Sequence, residues 1–136
     1  MKTPLPFGAR LPGLEYHPRP GAYALVFDEQ GRVALVYEEA DWYLPGGGLE
    51  AGEDHHQALV REVREECACG VHIEAHFADA VEYLVTRSGR PLEVQARYFR
   101  ARFLELPTVH WLAPADACAR VRRKGDAWMI TAASGR

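Results

Sequence analysis

The segment Gly46-Gly47-Gly48-Leu49-Glu50-Ala51-Gly52-Glu53-Asp54-His55-His56-Gln57-Ala58-Leu59-Val60-Arg61-Glu62-Val63-Arg64-Glu65-Glu66-Cys67-Ala68-Cys69-Gly70 decides how the chain is read. Its three opening glycines let a backbone come close to a ligand and aim carbonyls or amides at an ion or a phosphate. Asp54 followed three places later by Gln57 has the form of a capping box that opens a helix. Leu59, Val63 and Cys67 then recur every fourth residue, with Val60 beside them, and give that helix one apolar face. Gly70 is the expected stop. Glu62, Glu65 and Glu66 fall at i, i+3 and i+4, on an arc of about 100° next to the apolar face. Like charges so placed weaken a bare helix, and a divalent cation that prefers oxygen ligands is the simplest reason to assemble them. Mg²⁺ or Mn²⁺ suits the strip better than zinc, because no thiolate or imidazole lies on it.

Outward from this segment, Trp42-Tyr43-Leu44 reads as a short strand entering the glycine loop. Ala22 to Phe27 and Arg32 to Tyr37, joined by Asp28-Glu29-Gln30-Gly31, read as two strands of a hairpin, and their nearly continuous apolar character predicts a sheet covered on both faces. Ala75 to Val85 and Leu92 to Glu105 predict a second hairpin, and Pro114 to Val121 and Ala127 to Ala133 predict short helices. Residues 1–20 carry Pro4, Pro6, Pro12, Pro18 and Pro20 and are expected to form a non-helical arm ahead of one domain over residues 21–136. The alternation of strand, helix and strand argues for an α/β or α+β sandwich.

A chain of 136 residues that is 48% hydrophobic fits one domain able to bury a core without disulfides. With 26% charged residues it is not a low-complexity chain, and the net charge of -3 argues against bulk attraction to nucleic acid. Fourteen of the sixteen cations are Arg. Cys67, Cys69 and Cys118 match no zinc pattern and point to a reducing cytoplasm. The longest apolar run, Ala22 to Phe27, is too short to cross a bilayer, so no membrane association is expected. Strand edges in so small a domain leave a homodimer open.

Gly47, five residues, Glu53, seven residues, then Arg61-Glu62, Val63 and Glu65-Glu66 resemble the Nudix box, G-x5-E-x7-R-E-U-x-E-E-x-G-U with U an aliphatic residue. Leu44-Pro45-Gly46 and Gly52-Glu53 are similar to the usual elaboration of that motif. The end of the motif departs at two positions: Ala68-Cys69 stand where the pattern has glycine and an aliphatic residue, which predicts a longer or differently capped helix with the acids intact.

The resemblance to the Nudix hydrolases, the MutT-like enzymes, implies a Nudix-type α/β/α sandwich with a mixed sheet and a catalytic loop and helix. It implies divalent-metal-dependent hydrolysis of a pyrophosphate bond in a nucleoside diphosphate linked to another moiety: a nucleoside triphosphate, nucleotide sugar or dinucleotide. Glu62, Glu65 and Glu66 with the Gly46 carbonyl are implied as metal ligands, and Arg61 with Glu53 as the pair that holds them. The general base stays open among Glu62, Glu65 and a later carboxylate such as Glu93. Arg19, Tyr23 and Arg97 are candidate substrate contacts, while Arg120, Arg122, Arg123 and Lys124 read as a solvated patch. The expected partner is a small nucleotide, with no stable nucleic-acid complex. An RNA 5′-end pyrophosphohydrolase and a non-catalytic nucleotide sensor are the competing classes.

Overall fold

A computed structural model describes residues 3–135. The strands are β1 (Leu5–Phe7), β2 (His17–Leu25), β3 (Val33–Glu38), β4 (Asp41–Tyr43), β5 (Gly46–Gly48), β6 (Val71–Val85), β7 (Pro91–Phe103) and β8 (His110–Leu112). The helices are α1 (His55–Cys67), α2 (Pro114–Arg120) and α3 (Lys124–Ala133). A five-stranded mixed sheet runs β1-β6-β7-β2-β5, and a three-stranded sheet runs β4-β3-β8. β6 and β7 form the expected antiparallel hairpin, whereas β2 lies parallel to β7 and antiparallel to β5.

The alternation along β2 sorts the core. Ala22 and Ala24 face Leu59 and Val63 of α1, while Tyr23 and Leu25 face the opposite way, toward Met129 and Ile130 of α3. The central sheet is thus covered on both faces, which is why Ala22 to Val26 is apolar without a break. The result is an α/β/α sandwich.

The first expected hairpin differs from what forms. Asp28 closes the turn, its Oδ1 accepting from the Gln30 and Arg32 amides at 2.9 and 2.8 Å, and Phe27 bridges Val33. Beyond that bridge the strands part, because β7 and β5 occupy both edges of β2 and β3 must enter the second sheet. The boundary drawn at residue 20 falls inside β2. Pro18 and Pro20 are tolerated there because Pro20 directs its backbone toward the β5 side, shown by its carbonyl accepting from Leu49 at 3.0 Å, and β5 pairs only from Gly21 onward.

The capping box of α1 is present in both directions: Asp54 accepts from the Gln57 amide at 2.8 Å and the Asp54 amide donates to the Gln57 side chain at 2.9 Å. Val60, read beside the apolar face, is exposed. The helix stops at Cys67, three residues before Gly70, and Ala68 takes the left-handed cap with φ 57° and ψ 32°. A Cβ in that region costs about 1 kcal/mol, the penalty glycine avoids. Ala68→Gly, at an exposed site, is therefore expected to raise stability by roughly 0.5–1 kcal/mol in urea denaturation. An unchanged or lowered midpoint would contradict this reading of the cap.

Candidate active site

The site lies where the edge strand β5 meets α1. A Cβ on Gly46, whose φ is 137°, would collide with the Ala22 carbonyl oxygen, so only glycine fits. One residue on, a Cβ at Gly47 would lie 2.6 Å from the Glu62 carboxyl carbon, so the bare backbone is what gives that carboxylate its place. The Gly46 amide donates to Glu66 Oε1 at 2.9 Å and ties the start of β5 to the last acid of the strip.

Arg61 is the hub. Its Nε and Nη2 donate to the two Glu53 carboxylate oxygens at 2.7 and 2.9 Å, Nη2 also reaches the Gly48 carbonyl at 3.0 Å, and Nη1 reaches Glu62 at 2.9 Å. This planar fork uses the bidentate geometry that arginine offers and lysine lacks. Hydrogen bonds from Arg61 hold the Glu53 carboxyl below its ordinary range, and the same pairing pushes Arg61 up.

The strip itself is short of positive charge. Burial pushes Glu66 up to about 8, against the Gly46 hydrogen bond, and the nearby Glu62, Glu38 and Glu65 add to the rise. Burial also raises Glu62, although Arg61 opposes it. Glu65 is exposed and has Arg61 Nη1 at 3.4 Å. Among the described residues no three His, Cys, Asp or Glu side chains converge on one point; the glutamates line one helix strip facing β5. Their donor set of carboxylate oxygens, the excess negative charge and the cradle opened by Gly47 fit a hard divalent cation.

Glu38, at the end of β3, is the carboxylate that the sequence reading missed: it adds to the negative field at both Glu62 and Glu66. Its only signal was the acidic pair Glu38-Glu39 after a strand. Glu93, the later carboxylate weighed as a base, accepts instead from the Gln95 side-chain Nε2 at 2.7 Å within β7.

The candidate substrate contacts separate. Arg19 is exposed beside Gly48 and lines a cleft of about 410 Å³ between the sheets. Tyr23 is 1% exposed, packed on Tyr98 at 5.7 Å and covered by the Arg123 guanidinium at 4.8 Å, so its ring offers no free face to a base. Arg97 lies on the α1 side of the sheet, donates to Asp79 at 3.2 Å and lines a different hollow with His55. The expected solvated patch also divides: Arg120 stacks on Trp42, Arg122 pairs with Asp41 at 3.3 Å, and Arg123 Nη1 is buried.

Comparison with known proteins agrees with this geometry. Residues 17–129 match the family model described as NUDIX domain. The human 8-oxo-dGDP phosphatase NUDT18 is 41% identical over 64 residues, which are 43% of this chain and 19% of that protein. An RNA pyrophosphohydrolase of Edwardsiella ictaluri is 39% identical over 54 residues, 38% of this chain and 30% of that protein. The chain thus spans well under half of these relatives. Among solved structures, the E. coli ORF135 protein superposes with a TM-score of 0.64 at 23% identity, covering 86% of this chain and 89% of its own. The E. coli dihydroneopterin triphosphate pyrophosphohydrolase gives 0.67 at 15% identity over 87% and 96%. By the extent of the family match, the chain belongs to the Nudix family.

Proposed function

We propose that this protein hydrolyses a pyrophosphate bond in a nucleoside diphosphate joined to another group, using Mg²⁺ or Mn²⁺. The observation that carries the reading is the glutamate strip of α1 fastened to β5 by Arg61 and by the Gly46–Glu66 hydrogen bond. Glu62, Glu65 and Glu66, with the Gly46 carbonyl, would hold the cation, which would supply neutralisation of phosphate charge and orientation of the attacking water. Arg61 and Glu53 keep α1 and β5 in register so that the three carboxylates present one surface. The proton of the attacking water passes to Glu62 or Glu65 on that surface. The half-buried Glu62 is fixed by Arg61 at 2.9 Å, and the more exposed Glu65 is held by the same guanidinium at a longer 3.4 Å.

Removal of RNA 5′ phosphates is a second reading, supported by the likeness to RNA pyrophosphohydrolases. The net charge of -3 favours a small nucleotide. Three free cysteines, two of them buried, suit a reducing cytoplasm as the place of action. Among the described residues no helix is long and apolar enough to cross a membrane. A panel of nucleoside triphosphates, nucleotide sugars, dinucleotides and triphosphorylated RNA, incubated with Mg²⁺ or Mn²⁺ and resolved by chromatography, tests the proposal. Release of a nucleoside monophosphate or diphosphate from a small nucleotide is expected. Faster turnover of RNA would favour the second reading, and nucleotide binding with no product would favour a sensor.

A further inference from the structure

The turn that delivers Gly46 is held from three sides. Pro45 has no amide, so Leu44-Pro45-Gly46 offers two backbone donors. That of Gly46 goes to Glu66 Oε1 of α1 at 2.9 Å, and the Pro45 carbonyl accepts from the Ala24 amide of β2 at 2.8 Å. That of Leu44 is directed to the carboxylate of Asp126, in the first turn of α3 on the opposite face of the sheet.

Asp126 is wholly buried, in a helix whose other buried residues are glycine, alanine, methionine and isoleucine. Its Oδ1 accepts from the Tyr98 hydroxyl at 2.7 Å. Burial pushes its carboxyl up, while Arg123, the Tyr98 hydroxyl and the Leu44 amide pull against that rise. Arg123 in turn stacks on Tyr23 at 4.8 Å and Tyr43 at 5.5 Å. These two rings bracket the same turn. Tyr43 precedes Leu44, and Tyr23 is the register partner of Gly46, its Cδ1 2.9 Å from where a Gly46 Cβ would stand. The first turn of α3 is itself seated on β6, since Glu82 accepts from the Lys124 and Gly125 amides at 3.0 and 2.8 Å.

A buried ion pair stabilises a fold little, and apolar side chains of the same volume often do as well. What this pair adds is direction. A carboxylate and a flat guanidinium constrain the angle of an amide and of two rings, where apolar packing constrains chiefly their distance.

We propose that Asp126 is a positioning residue for the glycine turn: with Arg123 it fixes Tyr43 and Leu44, and through them the Gly46 peptide, whose amide holds Glu66 and whose carbonyl is a candidate ligand. The effect on rate rests on the pyrophosphohydrolase reading, whereas the bracing of the turn is measurable without it.

Amide hydrogen exchange of the full, metal-free chain, followed by NMR, reads the brace directly. In Asp126→Asn the Gly46 amide should exchange about tenfold or more faster relative to the amides of the β6–β7 hairpin. Arg100→Gln, which removes a contact to the Ala133 carbonyl at the far end of α3, should leave Gly46 exchange and turnover unchanged. On the best substrate, Asp126→Asn should lower kcat by about tenfold or more with KM within about twofold of the parent. If Asp126→Asn does not fold, Tyr98→Phe, which removes only the hydroxyl on Asp126, should show the same pattern at smaller amplitude. Exchange that quickens equally across the sheet, or a Gly46 amide unchanged in the folded variants, would overturn the proposal. A quickened Gly46 with parental kcat would reduce Asp126 to a structural brace and overturn its positioning role. A quickened Gly46 in a chain that hydrolyses nothing would keep the brace and remove the hydrolase reading.

Discussion

Glu66→Gln should lower metal-dependent hydrolysis by about two orders of magnitude or more while leaving the fold intact. The glutamine keeps the length of the side chain and an oxygen that can accept from the Gly46 amide, now at 2.9 Å from Oε1. What it loses is the charge, and charge is what a hard cation needs from this position. The substitution therefore separates architecture from chemistry. Thermal unfolding of the metal-free variant should fall within a few degrees of the parent, whereas turnover under saturating Mg²⁺ should nearly vanish. A variant that turns over at the parental rate would remove Glu66 from the machinery. One that unfolds would show that the carboxylate is needed for structure instead.

Arg61→Ala should damage both stability and turnover. The side chain contacts Glu53, the Gly48 carbonyl and Glu62 at 2.7–3.0 Å, and it is only 21% exposed. Its removal leaves Glu53 and Glu62, 17% and 18% exposed, without their cation. Stranding partners in this way costs roughly 1–3 kcal/mol, measurable by urea unfolding. Loosening β5 from α1 should cost about a further hundredfold in kcat/KM, since small displacements of positioned groups are expensive. Lysine should not restore the rate, because a single ammonium cannot reproduce the fork on Glu53 and reach Gly48 together. Arg64→Ala is the matching control: that side chain is 63% exposed and only 3.9 Å from Glu105, so its loss should stay within about 0.5 kcal/mol. Equal effects for the two arginines would contradict the hub role of Arg61.

How much of this was legible depended on whether the deciding interactions are local. The capping box at Asp54 and Gln57, the helical strip of Glu62, Glu65 and Glu66, and the β6–β7 hairpin are settled by neighbours within a few residues or one turn, and their spacing shows it. The fork of Arg61 on Glu53 links positions eight apart, and it was anticipated only through the resemblance to the Nudix box. Partner choice between strands was not legible. Nothing in Ala22 to Tyr37 says that β7 and β5 will take both edges of β2 and send β3 into another sheet. The helix stop was misplaced because Gly70 is the better residue for a left-handed cap, yet Ala68 adopts it where the chain must turn.

The arginines show the same limit. Arg97 and Arg19 are both on strands of the central sheet, but Ala22, the partner of Arg97, faces α1, while Arg19 shares its face with Gly21 and Tyr23. Parity along the strand places them on opposite sides, and parity cannot be assigned until the register is known. Arg123 sits in a run of cations that reads as solvated surface, and only the approach of Tyr23 and Tyr43 from distant strands makes it a half-buried wall of the cleft. The carboxylate Glu38 joins the strip through tertiary packing alone.

The most direct test of the central claim is hydrolysis in ¹⁸O-labelled water, with the best substrate of the panel and Mg²⁺, for the parent chain and Glu66→Gln in parallel. The account predicts one ¹⁸O atom on a phosphate of one product, release that stops in EDTA, and almost none from the variant. Label on carbon-linked oxygen, or label incorporated equally with EDTA or by the variant, would contradict it.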